Sequence, residues 1–311
     1  MIVVFAEMPE AEGRDLSIER RHLPAGVQIQ TFTYRGDRSA LAAACRDADA
    51  IVTDYVPFDR TVLAGLSRCR IISVAATGWD CVDVPAATDH GIRVSSVGEY
   101  CTDEVADHTL ALLLALNRKL FAYHRQVQVD RDWRWNLVQG VQRLSGRTLG
   151  LIGFGRIGQA VCRRARSFGL DVLACDPRID AETANRQGAT LAAFEKLLAD
   201  ADIISLHCNL DATNRGLLNR AAFAAMKRKP LLLNVARGAL IVEPDLVEAL
   251  DRGLVAGAAL DVLTEDSPDL SQHPLVGRGD VLLTPHVAFY SESALDDLRR
   301  ISAENVRAFF A

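Results

Sequence analysis

Short apolar runs alternate with helical patterns along nearly the whole chain, and this alternation is the feature that most restricts its fold. Such alternation predicts parallel α/β architecture, because a parallel strand is reached through a crossover that is usually a helix. The predicted strands are 2–6, 50–53, 70–75, 148–152, 171–175, 202–206, 231–235, 257–261 and 281–284. The predicted helices include 157–168, 192–199, 245–252 and 292–310.

The composition is that of a globular protein with about two domains. The chain has 311 residues, 49% of them hydrophobic and 24% charged, and a domain takes roughly 150 residues. Its formal net charge of −5 provides no general attraction to nucleic acid or to an anionic membrane. The basic run Arg163, Arg164 and Arg166 is interpreted as the solvated face of a helix. We therefore expect no nucleic-acid partner.

Neither a membrane segment nor a metal site is predicted. The longest apolar stretch, 110–116, is far shorter than the roughly 20 residues that span a bilayer. The N-terminus MIVVFAEMPE has no positively charged region before its apolar run, so we expect no signal peptide. The seven cysteines are an odd number and include no CxxC pair, which favours reduced thiols over disulfides or zinc ligands. The expected location is the cytoplasm.

Residues 103–124 are predicted to form one long helix, which has little polar interruption along 110–116. A helix that is apolar on most sides is usually buried between layers or domains. An irregular segment, 126–145, follows and carries Trp133 and Trp135. We interpret these two side chains as packed in the interior; if they are exposed instead, they indicate a dimer surface.

The stretch TLGLIGFGRIGQAV contains the pattern GxGxxG directly after an apolar strand and at the start of a helix. In such a turn Gly153 permits the tight bend, Gly155 lets the backbone approach a pyrophosphate, and Gly158 lets helix and strand pack closely. The amides of Arg156 and Ile157, at the helix N-terminus, would face the phosphates. This context favours a dinucleotide site over a glycine turn without a ligand.

An acidic residue at the end of the next strand supports this interpretation. The stretch DVLACDPR places Asp176 near the expected distance of about 20 residues from the glycines. A carboxylate there accepts hydrogen bonds from the adenosine ribose and repels a 2′-phosphate, which favours NAD over NADP. Arg178 leaves the alternative open, because its side chain is long enough to reach a phosphate.

Two further predicted strands end in residues suited to chemistry. One is followed by Arg237-Gly238 and another by Pro285-His286. The carboxyl ends of the strands line the ligand crevice of a doubly wound sheet. Taken alone, the arginine fits a salt bridge as well as a ligand contact, and a single histidine is more often structural. The occurrence of both at strand ends of one nucleotide-binding sheet indicates an active site.

The chain resembles the D-isomer-specific 2-hydroxyacid dehydrogenases, which include D-lactate, glycerate, phosphoglycerate and glyoxylate enzymes. The resemblance rests on VAATGWDCVDVPAATDHGIRVSSVGEYCTDEVADHTLALLLAL, the glycine fingerprint, NVARGALIVE, GAALDVLTED and TPHVAFYSESAL, in that order. It covers most of the chain, although the first 45 residues match loosely. It implies an NAD-dependent enzyme that interconverts a 2-keto acid and a D-2-hydroxy acid by hydride transfer.

The family uses an arginine, an acidic residue and a histidine. The arginine corresponds to Arg237, which would bind the substrate carboxylate and polarise the carbonyl through its guanidinium fork. The histidine corresponds to His286, the general acid in reduction and the general base in oxidation. In the family the acidic residue comes five positions after the aspartate of the GAALDV strand, here at Asp266, where an aspartate replaces the usual glutamate. Glu265 remains the alternative, because Ser267 also stands where the family has proline.

The resemblance also implies further binding residues. Those for the substrate are the loop Ala76, Thr77 and Gly78, with Tyr100 and Phe289 as pocket walls and Trp79 as a further candidate. Those for the cofactor, beyond the fingerprint and Asp176, are Thr109, His207, Cys208, Thr213, Ala236 and Asp261. Asn209 stands where the family often has proline, so the loop after His207 departs from the pattern.

The implied fold is two doubly wound parallel-sheet domains, Rossmann-like and flavodoxin-like, with the active site in the cleft between them. The NAD-binding domain, 99–286, is inserted into the substrate domain, 1–98 plus 287–311. The long helix and the tryptophan segment resemble the family's dimer contact, so the expected partner is a second copy of this chain. Two alternatives remain. One is an NAD(H)-sensing scaffold like the C-terminal-binding-protein corepressors, suggested by the AFYSE run; the other is a relative acting on a different small anionic donor, such as phosphonate or formate.

Overall fold

A computed structural model describes residues 1–265 and 268–311, which divide into two compact units. The first unit comprises residues 1–100 and 291–311, and the second comprises residues 101–290. Each unit is built on its own sheet, and every strand pairing in both sheets is parallel. The parallel α/β architecture predicted from the strand and helix alternation is therefore confirmed, as are the two doubly wound sheets that the resemblance implies.

The first unit alternates strands and short helices. Its elements before residue 100 are β1 (Ile2–Glu7), α1 (Ser17–His22), β2 (Gln28–Thr33), α2 (Arg38–Cys45), β3 (Ala50–Thr53), α3 (Arg60–Ala64), β4 (Ile71–Val74), α4 (Val84–Asp89) and β5 (Arg93–Ser96). A short 3₁₀ turn, Pro9–Ala11, follows β1. The strand order β2-β1-β3-β4-β5 reverses direction between β1 and β3, which is the flavodoxin-like arrangement.

The second unit begins with two helices, α5 (Thr102–Arg118) and α6 (Leu120–Gln128). It continues with β6 (Thr148–Ile152), α7 (Arg156–Ser167), β7 (Asp171–Cys175), α8 (Ala181–Arg186), β8 (Thr190–Leu191), α9 (Phe194–Asp200), β9 (Ile203–Leu206), α10 (Arg220–Ala225), β10 (Leu231–Asn234), α11 (Glu243–Asp251), β11 (Gly257–Leu260) and β12 (Val281–Leu283). A 3₁₀ turn, Gly238–Leu240, precedes α11. The strand order is β12-β11-β10-β9-β6-β7-β8, so the reversal falls between β6 and β9.

The C-terminal helix α12 (Glu292–Phe310) returns to the first unit. Ala303 and Val306 pack in one core cluster with Val3 and Phe5 of β1. Arg299 forms an ion pair with Glu19, whose side chain is fully buried. The helix thus covers one face of the sheet and completes the core of the first unit.

The single helix predicted over 103–124 is wrong, because α5 ends at Arg118 and α6 begins at Leu120. Lys119 between them has φ 55°, in the left-handed region. Its amide donates to the carbonyls of Ala115 and Leu116, which ends α5. The apolar run that suggested burial is nevertheless on the packed side of α5, where Leu110, Leu112, Leu113 and Leu116 are buried.

The interior packing predicted for Trp133 and Trp135 is also wrong, since these side chains are 87% and 84% exposed. The interpretation of the basic run holds for Arg163 and Arg166, which are exposed on α7. Arg164 differs, because it pairs with Asp103 and Asp107 and so ties α7 to α5. Within the described residues, no helix combines the length and apolarity needed to cross a membrane.

Candidate active site

The glycine turn joins β6 to α7 and is shaped by close backbone contacts. Gly153 has φ +93°, and a Cβ atom there would lie 2.5 Å from the backbone nitrogen of Cys208. A Cβ atom on Gly158 would lie 2.4 Å from the carbonyl oxygen of Gly153. Only glycine fits either position, so the turn can pass directly beneath the end of β9 and lead into the helix.

Gly155 is different, because a Cβ atom there would meet nothing within 4 Å. Its backbone is extended, with φ −70° and ψ −162°, a conformation that other residues adopt. Folding therefore does not require glycine at this position. The open space lies at the N-terminus of the twelve-residue helix α7, where backbone N–H groups and the helix dipole favour an anion. The cradle fits the pyrophosphate of a dinucleotide.

Asp176 follows β7 and is held against the glycine turn. Its Oδ2 accepts from the amide of Phe154 at 2.9 Å, and its Oδ1 accepts from the amide of Arg178 at 2.9 Å. The Asp176 side chain is 7% exposed, whereas the Arg178 side chain is 74% exposed. The distance between Arg178 Nε and Asp176 Oδ1 is 3.9 Å. The carboxylate therefore orders the turn, and each oxygen keeps a second lone pair for another donor.

His207 and Cys208 lie beneath the turn, at the end of β9. His207 Nε2 is 2.8 Å from Ser205 Oγ, and the buried Nδ1 has no hydrogen-bond partner among the described residues. Burial lowers the pKa of His207 to about 3, so the ring is neutral near pH 7. Burial raises the pKa of Cys208 to about 11, so this residue is a thiol rather than a thiolate. The orphaned Nδ1 at the switch point is consistent with a polar ligand group there.

Arg237 sits in a braced turn after β10. Asn234, fully buried, donates from Nδ2 to the carbonyl of Arg237 at 2.9 Å and accepts from the amide of Ala236 at 3.0 Å. A Cβ atom on Gly238 would lie 1.9 Å from the carbonyl oxygen of Leu263, so the turn packs directly on the segment after β11. Asn234 was not predicted from the sequence; its signal was an amide residue at the end of the apolar run LLL.

His286 follows β12 with φ 53°, an uncommon conformation for a residue other than glycine. Its amide donates to the carbonyl of Asp261 at 2.7 Å. The Phe289 ring lies edge-on to the imidazole, with 6.2 Å between ring centroids. The structure therefore places Phe289, a predicted substrate contact, against the predicted acid–base histidine.

Asp261, directly after β11, is 1% exposed. Its Oδ1 accepts from the Thr284 hydroxyl at 2.5 Å and from the amide of Val287 at 3.0 Å, and its Oδ2 accepts from the amide of Ala288 at 2.9 Å. Asp261, which is predicted to contact the cofactor, therefore also holds the backbone directly after His286 through these hydrogen bonds.

The remaining predicted residues have more varied settings. Thr109 is buried on α5 and donates to the carbonyl of Val105, while Thr213 is exposed and donates to Asp211. In the first unit, Ala76, Thr77 and Gly78 follow β4, and the Ala76 carbonyl accepts from Val97 at 3.0 Å. Asp266 lies outside the described residues, and Glu265 is exposed.

The strand order brings the key residues of the second unit to one edge. Because β6, β9, β10, β11 and β12 are neighbours and parallel, their carboxyl ends meet there. The glycine turn, His207, Arg237, Asp261 and His286 each follow one of these strands. This edge, at the topological switch point, is where doubly wound sheets bind ligands.

Comparison with known proteins identifies a matching family. Residues 110–288 match the model described as "D-isomer specific 2-hydroxyacid dehydrogenase, NAD binding domain". A hydroxypyruvate reductase from Blautia hydrogenotrophica is 34% identical over 282 residues, which cover 88% of this chain and 85% of the relative.

Two solved structures are also similar. The D-lactate dehydrogenase from Aquifex aeolicus, complexed with NAD and lactic acid, has a TM-score of 0.87 and 25% identity, covering 99% of this chain and 95% of the other. An acyclic imino acid reductase in complex with NADPH and D-Arg has a TM-score of 0.89 and 25% identity, covering 100% of this chain and 97% of the other.

Proposed function

Because this chain belongs to the D-isomer specific 2-hydroxyacid dehydrogenase family and is an NAD-dependent dehydrogenase, we propose that it interconverts a 2-keto acid and the D-2-hydroxy acid. His286 would be the general acid and base, and Arg237 would bind the substrate carboxylate. The observation that carries the proposal is their placement. They follow β12 and β10 at the same sheet edge as the glycine turn, and Asp261 follows β11, the strand between them.

The cofactor, when bound, supplies the hydride, and the protein supplies orientation and charge. The proposed cofactor-binding residues are Gly153, Gly155, Arg156, Ile157, Gly158, Asp176, His207, Cys208, Thr213, Ala236, Asp261 and Thr109. The open space at Gly155 and the α7 N-terminus support the pyrophosphate site. The carboxylate of Asp176, beside the turn, supports NAD rather than NADP, because a 2′-phosphate there would meet a like charge.

Arg237 and His286 have distinct proposed tasks. The planar guanidinium of Arg237 suits a carboxylate through two parallel hydrogen bonds and draws electron density from the adjacent carbonyl. His286 would donate a proton to the carbonyl oxygen during reduction and accept it back during oxidation. We further propose Asp266 as the acidic partner of His286, with Glu265 as the alternative. Ala76, Thr77, Gly78, Tyr100 and Phe289 would bind the rest of the substrate.

The test is an absorbance assay of NADH consumption with a panel of 2-keto acids. We expect turnover with at least one acid, and a kcat lower by roughly 10²- to 10⁴-fold in His286→Asn, the loss typical of removing a general acid. Arg237→Gln should raise KM for the keto acid and also lower kcat, because Arg237 is proposed both to bind the carboxylate and to polarise the carbonyl. NADH binding by the wild type without turnover of any acid would contradict the proposal and favour the corepressor-like scaffold.

We also propose that the protein is a homodimer. Exposed apolar side chains concentrate between residues 120 and 137, including Phe121 at 62% and Val129 at 65% beside the two tryptophans. Their segment is ordered, because Tyr123 donates to the Trp135 carbonyl and Gln126 donates to the Arg134 carbonyl. Ordered, exposed aromatic side chains are typical of interfaces.

Light scattering tests the dimer. The wild type should have the mass of two chains, and the double variant Trp133→Asp, Trp135→Asp that of one. Phe168→Asp, which alters an exposed apolar residue outside the segment, is the control and should remain dimeric. A wild type that stays monomeric at every concentration would contradict this proposal.

We also propose that the protein acts in the cytoplasm. The free thiols of Cys45, Cys69, Cys162, Cys175 and Cys208 support a reducing compartment as the site of action.

A further inference from the structure

His108 is a polar residue on α5 to which the proposed mechanism assigns no task. Helix α5 packs against β10, β11 and β12 in the second unit. His108 Nε2 lies 3.1 Å from Thr284 Oγ1 and 3.5 Å from Asp261 Oδ1. The His108 side chain is 22% exposed, whereas that of Asp261 is fully buried. A side chain of α5 therefore meets Thr284, which follows the same strand as His286, and Asp261, which follows the neighbouring strand β11.

The hydrogen-bonding capacity of these groups sets the direction of each bond. The Thr284 hydroxyl has one proton and lies 2.5 Å from Asp261 Oδ1. A carboxylate only accepts, so the hydroxyl donates to Asp261. Thr284 Oγ1 must then accept from His108, and Nε2 must carry the hydrogen. The result is an ordered chain in which His108 donates to Thr284 and Thr284 donates to Asp261.

Asp261, the end of this chain, holds the backbone on both sides of His286. Its carboxylate accepts from the amides of Val287 and Ala288, and its carbonyl accepts from the amide of His286. His286 itself has φ 53°. A residue with a side chain stays in the left-handed region only where its surroundings over-determine the backbone. The orientation of the Asp261 carboxylate is thus part of what keeps His286 in place.

We propose that His108 is a positioning residue for His286, acting through Thr284 and Asp261. Without its N–H, the Thr284 hydroxyl loses the donor that fixes its rotation, and Asp261 Oδ1 loses a neighbour that holds it toward Val287. The imidazole of His286 would then be less well placed relative to its substrate. The inference rests on the acid–base role proposed for His286, and it assigns His108 no contact with the reacting atoms.

The experiment compares His108→Leu, which removes the donor, with His108→Gln, which places an N–H donor near the position of Nε2. Thr284→Val and Thr284→Ser repeat the comparison at the second member of the chain. His90→Leu, on an exposed histidine of the first unit, is the matched control. For each variant, kcat and KM for the keto acid, the dissociation constant of NADH and the melting temperature are measured.

We expect His108→Leu and Thr284→Val to lower kcat by roughly ten- to a hundredfold, the loss typical of a small misplacement of a catalytic group. The keto-acid KM should change by no more than about threefold, because the groups proposed to bind the acid remain. The NADH dissociation constant should rise modestly, since Asp261 is itself a proposed cofactor contact. His108→Gln and Thr284→Ser should recover most of the kcat, and His90→Leu should behave as the wild type. The double variant His108→Leu, Thr284→Val should lose little more than either single variant, since both break one chain.

Two results would overturn the inference. One is a kcat for His108→Leu and Thr284→Val within about twofold of the wild type. The other is a loss of kcat that His108→Gln and Thr284→Ser fail to recover while the melting temperature falls in parallel, which would indicate a purely structural role. Failure of the proposed function is distinguishable, because the wild type would then turn over no keto acid, or His286→Asn would retain its kcat. If His286→Asn is inactive and His108→Leu is fully active, only the inference about His108 fails.

Discussion

Replacing Gly155 with alanine should separate cofactor binding from folding. The added Cβ atom would meet no protein atom within 4 Å, and the backbone at φ −70° is open to alanine. Two effects on the free energy of unfolding oppose each other. Removing glycine from the unfolded chain stabilises by about 0.4–1 kcal/mol, and placing alanine at a helix N-cap costs about the same. We expect the stability to change by less than about 1 kcal/mol.

Cofactor binding should respond quite differently. If the pyrophosphate occupies the space beside Gly155, the methyl group overpacks that space at a cost of about 1–3 kcal/mol. Since 1.4 kcal/mol is a factor of ten, the dissociation constant of NADH should rise between roughly fivefold and 150-fold. Gly158→Ala instead places its Cβ atom 2.4 Å from the Gly153 carbonyl oxygen, so it should weaken both folding and binding.

Urea unfolding and NADH fluorescence titration measure the two quantities. Gly279→Ala is the matched control, because its Cβ atom also meets nothing within 4 Å and it precedes β12, at the opposite edge of the sheet. It should alter neither measurement. An NADH dissociation constant for Gly155→Ala within about twofold of that of Gly279→Ala would refute the placement of the pyrophosphate.

Three further changes test the charged groups. Asp266→Asn should lower the apparent pKa of His286 in the pH–rate profile, since a nearby carboxylate stabilises the imidazolium; a shift with Glu265→Gln instead would assign the role to Glu265. Asp176→Asn should raise kcat/KM for NADPH relative to NADH by roughly tenfold through loss of like-charge repulsion, and an unchanged ratio would contradict the assignment. Burial opposes ionisation of Glu19, but hydrogen bonds from Arg299 and Arg14 prevail and lower its pKa below 4.5. Its contribution to stability is therefore present above that pH and lost as the pH falls through the lowered pKa. Glu19→Gln should lower the free energy of unfolding at pH 7 by about 3 kcal/mol and weaken its dependence on acid, as urea unfolding at several pH values would show.

Most of the strands predicted from the sequence are buried on both faces of a sheet; β7 and the edge strand β12, which are partly exposed, were predicted as well. All four residues of β3, β4, β9, β10 and β11 are buried, which produces the continuous apolar runs that identify them. The strands that were missed, β2, β5 and β8, lie at sheet edges. The residues of β2, QIQTFT, are mostly polar because none of them is buried. An edge strand needs less apolar surface, so its sequence resembles that of a loop.

The same reasoning explains the errors after residue 118. An apolar run indicates a buried helix, but it carries no information about a single left-handed residue such as Lys119, since lysine has no preference for that conformation. Trp133 and Trp135 are apolar enough for an interior position. The part of the chain that the structure describes leaves them largely exposed, and composition alone does not distinguish a core from a surface that a second copy would bury.

At the active site, the sequence identifies residues that follow strands more readily than the residues that support them. Arg237 and His286 are recognisable because parallel strands bring their carboxyl ends to one edge, so position along the chain is enough. Asn234 and His108 act across turns and between layers. The role of His108 depends on which side of α5 meets β11 and β12, a property of helix packing rather than of spacing. Supporting residues of this kind require the packed structure. The partners of His108 are 153 and 176 residues distant in sequence, and Asn234 bonds across a turn only three residues long.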